Sequence, residues 1–351
     1  NTLFIIIIHI TFVAYKKLLR MIITGKYPNL RLRRNRNSDW SRRLVRENTL
    51  SVNDLILPIF LVDGNNKKQS ITGMPNIYRY SINRLSDVVD EAVYNKIPMV
   101  ALFPYTNPKI KNSYGSEALN ENNLVCQAIR YIKKRYKNEI GIMCDVALDP
   151  YTSSGHDGVL KSGYVQNDET VEILVEQALL QAQMGCDVIA PSDMMDGRIG
   201  EIRKALDKND LSLVQILSYA VKYASSFYGP FRDAVGSNKF LKSDKKNYQM
   251  DFRNSNEALR EVALDIKEGA DIVMVKPGMP YLDIIKIVKD NFKIPVFAYQ
   301  VSGEYSLLTK GIKNKLINKE AVIESLISFK RAGASAVVTY FANQIATKLH
   351  K

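Results

Sequence analysis

Eight short apolar runs, most of them separated by amphipathic stretches, set narrow limits on what this chain of 351 residues can fold into. The runs are LILPIFLVD from Leu55, MVALFP from Met99, IGIMCDVAL from Ile140 and DVIAPS from Asp187. Four more follow: SLVQILSYA from Ser212, DIVMVKP from Asp271, PVFAYQVS from Pro295 and SAVVTYFA from Ser335. Short runs rich in Val and Ile and bounded by Gly, Pro or Asp read as strands buried on both faces of a parallel sheet. The stretches between them carry helix signals. NDETVEILVEQALLQAQMG has Asn167 as its cap and Gly185 as its stop, SNEALREVALDIKEGA has Ser255 and Gly269, and NKEAVIESLISFKRAGA has Asn318 and Gly333. Strands alternating with helices over about 290 residues predict an α/β fold, a closed (β/α)8 TIM barrel. A doubly wound open sheet is the alternative, but no G-x-G-x-x-G follows the first strands.

The barrel accounts for residues 48–351. Residues 21–47 form a basic arm, with YPNLRLRRNRNSDWSRRLVRE inside it, that is too polar to fold alone and is expected to contact another subunit. Residues 1–20 are different again. Their apolar stretch from Leu3 to Ala14 is shorter than the roughly 20 residues that a membrane span requires. The basic residues follow that stretch, whereas a secretory signal carries them before it. Residues 1–20 are therefore expected to be upstream sequence, with the functional chain starting at Met21; a short membrane-proximal anchor is the other reading. A net charge of +13 and a pI near 9.4 suit an anionic partner: nucleic acid, a membrane surface or a small acidic ligand. Cys126, Cys144 and Cys186 match no disulfide framework or zinc spacing, which suits a reducing compartment and a cytoplasmic protein.

In such barrels the chemistry sits at the C-terminal ends of the strands. There the sequence places Asp145 on strand three, Ser192 and Asp193 on four, Lys222 just past five, Lys276 on six, Ser302 past seven and Tyr340 on eight. The two lysines matter most. A lysine is a strongly hydrated point charge, and one closing an apolar strand usually just surfaces into water. Strands five and six are neighbours, however, so these two ammonium groups are expected to meet in a partly dry mouth. Desolvation and a like charge both lower a lysine pKa. A lysine so lowered is the nucleophile that forms Schiff bases with carbonyl compounds. The residues alone thus reach a carbonyl-handling lyase or aldolase with two amine nucleophiles, with no substrate specified.

SYAVKYASSFYGPFRDAVGS, MVKPGMPYLD, APSDMMDGR, YQVSGEY and RLRRNRNSDWSRRLVREN together resemble the porphobilinogen synthase (5-aminolevulinate dehydratase) family, from about Tyr27 to Lys348. The resemblance implies a TIM barrel with an N-terminal arm that embraces a neighbouring subunit, usually in a homo-octamer. It implies condensation of two 5-aminolevulinate molecules into porphobilinogen with loss of two waters, an early step of tetrapyrrole (haem) biosynthesis. By motif, Lys276 resembles the lysine that holds the first substrate and Lys222 the one that holds the second. Arg232 and Lys245 resemble the pair that binds the second substrate's carboxylate, with Lys246 as an alternative to Lys245 and Gln249 close by. Ser302 and Tyr340 resemble the groups on the first substrate's carboxylate. Hydroxyls and a guanidinium fork both suit a carboxylate. Asp145, Ser192 and Asp193 are candidates for positioning the free amino group and passing protons, although Asp193 equally suits a turn cap.

The resemblance also bears on metals. In zinc-dependent relatives three cysteines stand at the positions of Ala147, Asp149 and Asp157, and this chain has none of them. A zinc site needs Cys or His ligands, and His156 alone cannot supply one. The chain resembles the aspartate-type branch, which lacks catalytic zinc and commonly uses Mg²⁺ as an allosteric activator at a subunit interface. The matching ligand is Glu257, an acid that the first turn of a helix also favours by itself. Asp149 and Asp157, at the cysteine positions, are further metal-ligand candidates. Two other functions compete. A class I aldolase requires one essential lysine and a phosphate site, but there are two lysines here and no Gly-rich phosphate loop. An RNA-binding protein led by RLRRNR lacks an aromatic-studded RNA motif. No nucleic-acid or membrane partner is expected.

Overall fold

The computed structural model describes residues 25–236, 241 and 244–350. The apolar stretch from Leu3 to Ala14 and the start proposed at Met21 lie outside the described residues. The chain divides into two compact units, Asn1–Glu47 and Asn48–Lys351. In the first, a 3-10 turn at Leu32–Arg36 leads to a short helix, Asp39–Leu44, and neither buries a residue. Trp40 and Leu44 stand exposed.

The second unit is the barrel. Its strands are β1 (Leu55–Val62), β2 (Met99–Tyr105), β3 (Gly141–Val146), β4 (Val188–Pro191), β5 (Gln215–Lys222), β6 (Ile272–Lys276), β7 (Val296–Gln300) and β8 (Ala336–Thr339). Each corresponds to one of the eight apolar runs. Every strand pairs in parallel with the next, and β8 returns to β1 through Leu55↔Val337 and Ile56↔Val338, which closes the ring. The strands are mostly apolar because one face fills the barrel and the other meets the helices. All eight residues of β1 are buried.

Two details differ from the expectation. Asn167 is the first helical residue of Asn167–Gln183 and not its cap; its side chain instead exchanges hydrogen bonds with the backbone of Asp196. The helix expected at Asn318 begins only at Ala321, although Gly333 ends it in the left-handed conformation as expected. The antiparallel hairpin Lys68–Ile71/Met74–Tyr80, joined to β1, went unread because its residues are half exposed and form no apolar run.

Candidate active site

Lys222 is the last residue of β5, not one past it, and Lys276 is the last of β6; the two are direct register partners. Adjacent strands lie about 4.8 Å apart, so the side chains leave the barrel wall side by side. Both are buried, at 6% and 5% exposure. They line a small cavity of about 30 Å³ together with Asp145, Asp149, Ser192, Arg232, Lys245 and Gln249.

The two ammonium positions differ in kind. Lys276 Nζ lies 4.6 Å from the ring centre of Tyr299, 4.9 Å from Tyr219, 5.0 Å from Phe231 and 5.6 Å from Tyr228. Burial, reinforced by the Lys222 charge, lowers Lys276 to about 7. Lys222 Nζ instead donates to Asp157 Oδ1 at 3.0 Å and to the carbonyl of Ser192. Asp157 also receives Lys245 Nζ at 2.7 Å and the hydroxyl of Tyr248 at 2.8 Å. Burial alone would raise Asp157, but Lys222, Lys245 and Tyr248 outweigh it and hold the carboxyl well below its usual range. One lysine therefore rests in an aromatic box and the other in an ion pair.

Asp145 stands on β3 near both lysines. Burial raises it to about 6 against the pull of Lys276 and Lys222. Its Oδ1 is buried without a hydrogen-bond partner, as is Gln249 Oε1. A carboxyl poised near neutrality can take up and return a proton at the working pH. Lys245 faces Asp149 and Asp157, whereas Lys246 is exposed and pairs with Asp244 at 3.3 Å, so Lys245 is the one on the cavity wall.

Two residues stand past their strand, and two hold their strand ends without lining the cavity. Ser192 and Asp193 follow β4 rather than ending it. Asp193 does not line the cavity; it accepts from the Met195 amide at 2.7 Å as a turn cap and faces Arg198, 3.5 Å away. Ser302 and Tyr340 are also off the wall. The helix Gly229–Val235 packs down so that Phe231 sits over Lys276, and the Phe231 amide donates to Ser302 Oγ at 2.9 Å. Tyr340 shares a hydrogen bond with Tyr299 at 3.2 Å.

Sequence reasoning missed three groups: Asp157 as the counter-charge of Lys222, the aromatic box, and a buried network behind β5. In that network Arg198 donates to Ser218 Oγ at 3.2 Å and meets Asp265 at 3.3 Å, all three out of solvent. Arg198 lies in the conspicuous run APSDMMDGR, but its partner Asp265 is 67 residues away, beyond the reach of spacing arguments.

The family model described as delta-aminolevulinic acid dehydratase matches residues 29–348. The chain belongs to that family. A delta-aminolevulinic acid dehydratase from Bradyrhizobium diazoefficiens is 58% identical over 321 residues, 91% of this chain and 91% of the relative. One from Rhodobacter capsulatus is 48% identical over 326 residues, 92% of this chain and 97% of that one. A solved structure of delta-aminolevulinic acid dehydratase (porphobilinogen synthase) from Toxoplasma gondii ME49, in complex with the reaction product porphobilinogen, superposes with a TM-score of 0.89. It is 44% identical and covers 91% of each chain. Family and barrel agree, and the open-sheet, aldolase and RNA-binding readings fall away.

Asp149 and Asp157 are engaged by the ammonium groups of Lys245 and Lys222, which makes them a poor cation site. Glu257 is a better one. It lies half-buried in the first turn of the helix Asn256–Glu268 and accepts from Asn254 Nδ2 at 2.6 Å. Glu261, one turn on, lines the same surface groove. One or two hard carboxylates with room for water suit Mg²⁺.

Proposed function

We propose that this cavity joins two molecules of 5-aminolevulinate into porphobilinogen, with Lys276 and Lys222 as the two Schiff-base amines. The family relation supplies the activity, that of a hydro-lyase in tetrapyrrole biosynthesis. The observation that carries the residue roles is the register pairing of Lys276 and Lys222 at adjacent strand ends. Only a neutral amine attacks a ketone, and burial brings Lys276 toward neutrality. It takes the first substrate; Lys222, released from Asp157, takes the second. Each imine forms with loss of one water and acidifies the neighbouring C–H, so one substrate acts as nucleophile and the other as electrophile. Both lysine amines are regenerated as the ring closes. Asp145 moves protons, and Arg232, Lys245 and Gln249 take the second carboxylate. Ser302 and Tyr340 take the first, once Phe231 and its amide withdraw. Formation of a pyrrole from 5-aminolevulinate by the purified protein tests the activity, and borohydride trapping of both lysines tests their roles.

The acid limb of the reaction follows from Lys276. Its value is lowered to about 7, so the amine is protonated below that pH and free above it. Borohydride trapping at Lys276 is expected to fall about tenfold per pH unit below 7 and to level off above. A limb centred near 9 or higher would mean that the amine is not depressed.

Assembly and metal response belong to the same reading. Trp40 and Leu44 lie exposed on an arm with no core of its own, which supports packing on a second copy, in an octamer. Mg²⁺ at Glu257 and Glu261 would stabilise that assembly by binding it preferentially. Added Mg²⁺ should raise both rate and assembly mass, and Glu257→Ala should lose both responses. Deleting residues 21–46 should shrink the particle in light scattering. Activity is expected to survive zinc chelation; stoichiometric zinc in the active protein would refute this. A reducing cytoplasm suits the three thiols, all free and buried. Among the described residues no helix is long and apolar enough to cross a membrane.

A further inference from the structure

Glu304 lies in the run YQVSGEY, yet no step above uses it. It is 1% exposed. Burying a carboxylate is costly unless donors surround it. As the third residue of the helix Ser302–Lys313 it caps its own helix: Oε2 accepts from the Val301 amide. A capping glutamate ordinarily stops there. Here the other oxygen leaves the helix and accepts from the Met279 amide, 25 residues back in the chain, while burial raises the carboxyl to about 8 against these donors.

Gly278 and Met279 immediately follow Lys276 and Pro277 at the end of β6, and Val301 follows β7. One carboxyl group therefore bridges two neighbouring strand ends. The same loop is gripped on its other sides. The carbonyl of Lys276 accepts from the Tyr223 amide at 3.0 Å and from the Tyr228 hydroxyl at 3.1 Å. A Cβ at Gly278 would strike the Phe329 ring, and one at Gly303 would strike the Phe227 carbonyl, so the glycines permit a close approach that the carboxyl group then fixes.

We infer that Glu304 is a positioning residue for Lys276: its buried carboxyl group clamps the loop after Lys276 to the end of β7 and so holds the amine within its aromatic box. The inference rests on Lys276 being a Schiff-base nucleophile. A shift of about 1 Å in a reacting group can cost on the order of a hundredfold in rate. Lys222 is anchored separately, by Asp157 and Ser192, and gains nothing from the clamp.

The test is site-resolved trapping on the full chain. Wild type and Glu304→Gln are treated with 5-aminolevulinate and borohydride, and the peptides carrying Lys276 and Lys222 are quantified by mass spectrometry. In Glu304→Gln, adduct at Lys276 should fall at least about tenfold while adduct at Lys222 changes by less than about threefold; kcat should fall at least about tenfold with KM little changed. Glu304→Asp keeps the carboxyl group but falls one methylene short of Met279. It should show the same selective loss, and it decides the matter if the glutamine variant does not fold. Retention of Lys276 trapping within about threefold, or parallel loss at both lysines, would overturn the clamp. Absence of Lys276 adduct in the wild type would instead overturn the reading on which it rests.

Discussion

Lys276→Ala and Lys222→Ala are each expected to abolish porphobilinogen formation, with residual activity well under a tenth of wild type. A tenth corresponds to about 1.4 kcal/mol of barrier, far less than the loss of a covalent route. A variant above that level would remove its lysine from the list of essential nucleophiles. Misfolding is the alternative explanation for inactivity, and the linkage sign separates the two. Burial first, and Lys222 second, lower Lys276 in the folded state to about 7, below its value in an unfolded chain, near 10.4. Such a group opposes folding fully below pH 7, and the penalty fades as pH rises toward 10.4. Lys276→Met removes the penalty and fills the aromatic box. Its thermal midpoint at pH 7 should therefore equal or exceed that of wild type while activity vanishes. A lower midpoint would mean that Lys276 holds the fold together.

The barrel was legible because its strands are buried on both faces, so each shows as a continuous apolar run whatever its partner. Lys276 was legible for the same reason: a charge at the end of VMV needs an explanation. What the sequence hid were contacts set by closure of the ring. Asp157 meets Lys222 across 65 residues, and Tyr299, Tyr219 and Phe231 converge on Lys276 from three separate elements. An aromatic in a strand reads as ordinary core until the ring closes around an ammonium. Ser302 and Tyr340 show the converse. Their place at strand ends was read correctly, but the descent of Phe231 onto Lys276 could not be, because it depends on how the helix Gly229–Val235 packs between Phe60 and Phe103. Asp193 followed local chemistry and capped its turn.

Asp157→Ala is expected to be the most destabilising single change in the site. Asp157 is 1% exposed and sits between two buried ammonium groups, Lys222 Nζ at 3.0 Å and Lys245 Nζ at 2.7 Å. Truncating it leaves two like charges facing a void. Removing one partner of a buried ion pair typically costs about 3–5 kcal/mol, because the survivor keeps its desolvation penalty. In a chain of this size that corresponds to a fall in thermal midpoint on the order of 10 °C. Asp157→Asn preserves the shape and one acceptor oxygen, so it isolates the charge and should cost less. The pH window follows from the neighbours. Asp157 is held below its usual range despite burial, so its contribution is fully present above about pH 4 and is lost as pH falls through the folded value. Lys245 is raised: burial opposes this, but Asp149 and Asp157 outweigh it, so its share persists up to about pH 10 and is lost above that. The gap between wild type and Asp157→Asn should therefore be flat from about pH 5 to 9 and should close in strong acid. Calorimetric scans across that range measure it. A variant that matches wild-type stability at pH 7, or a gap that widens in acid, would show that Asp157 is not the counter-charge that holds Lys222 and Lys245 in place.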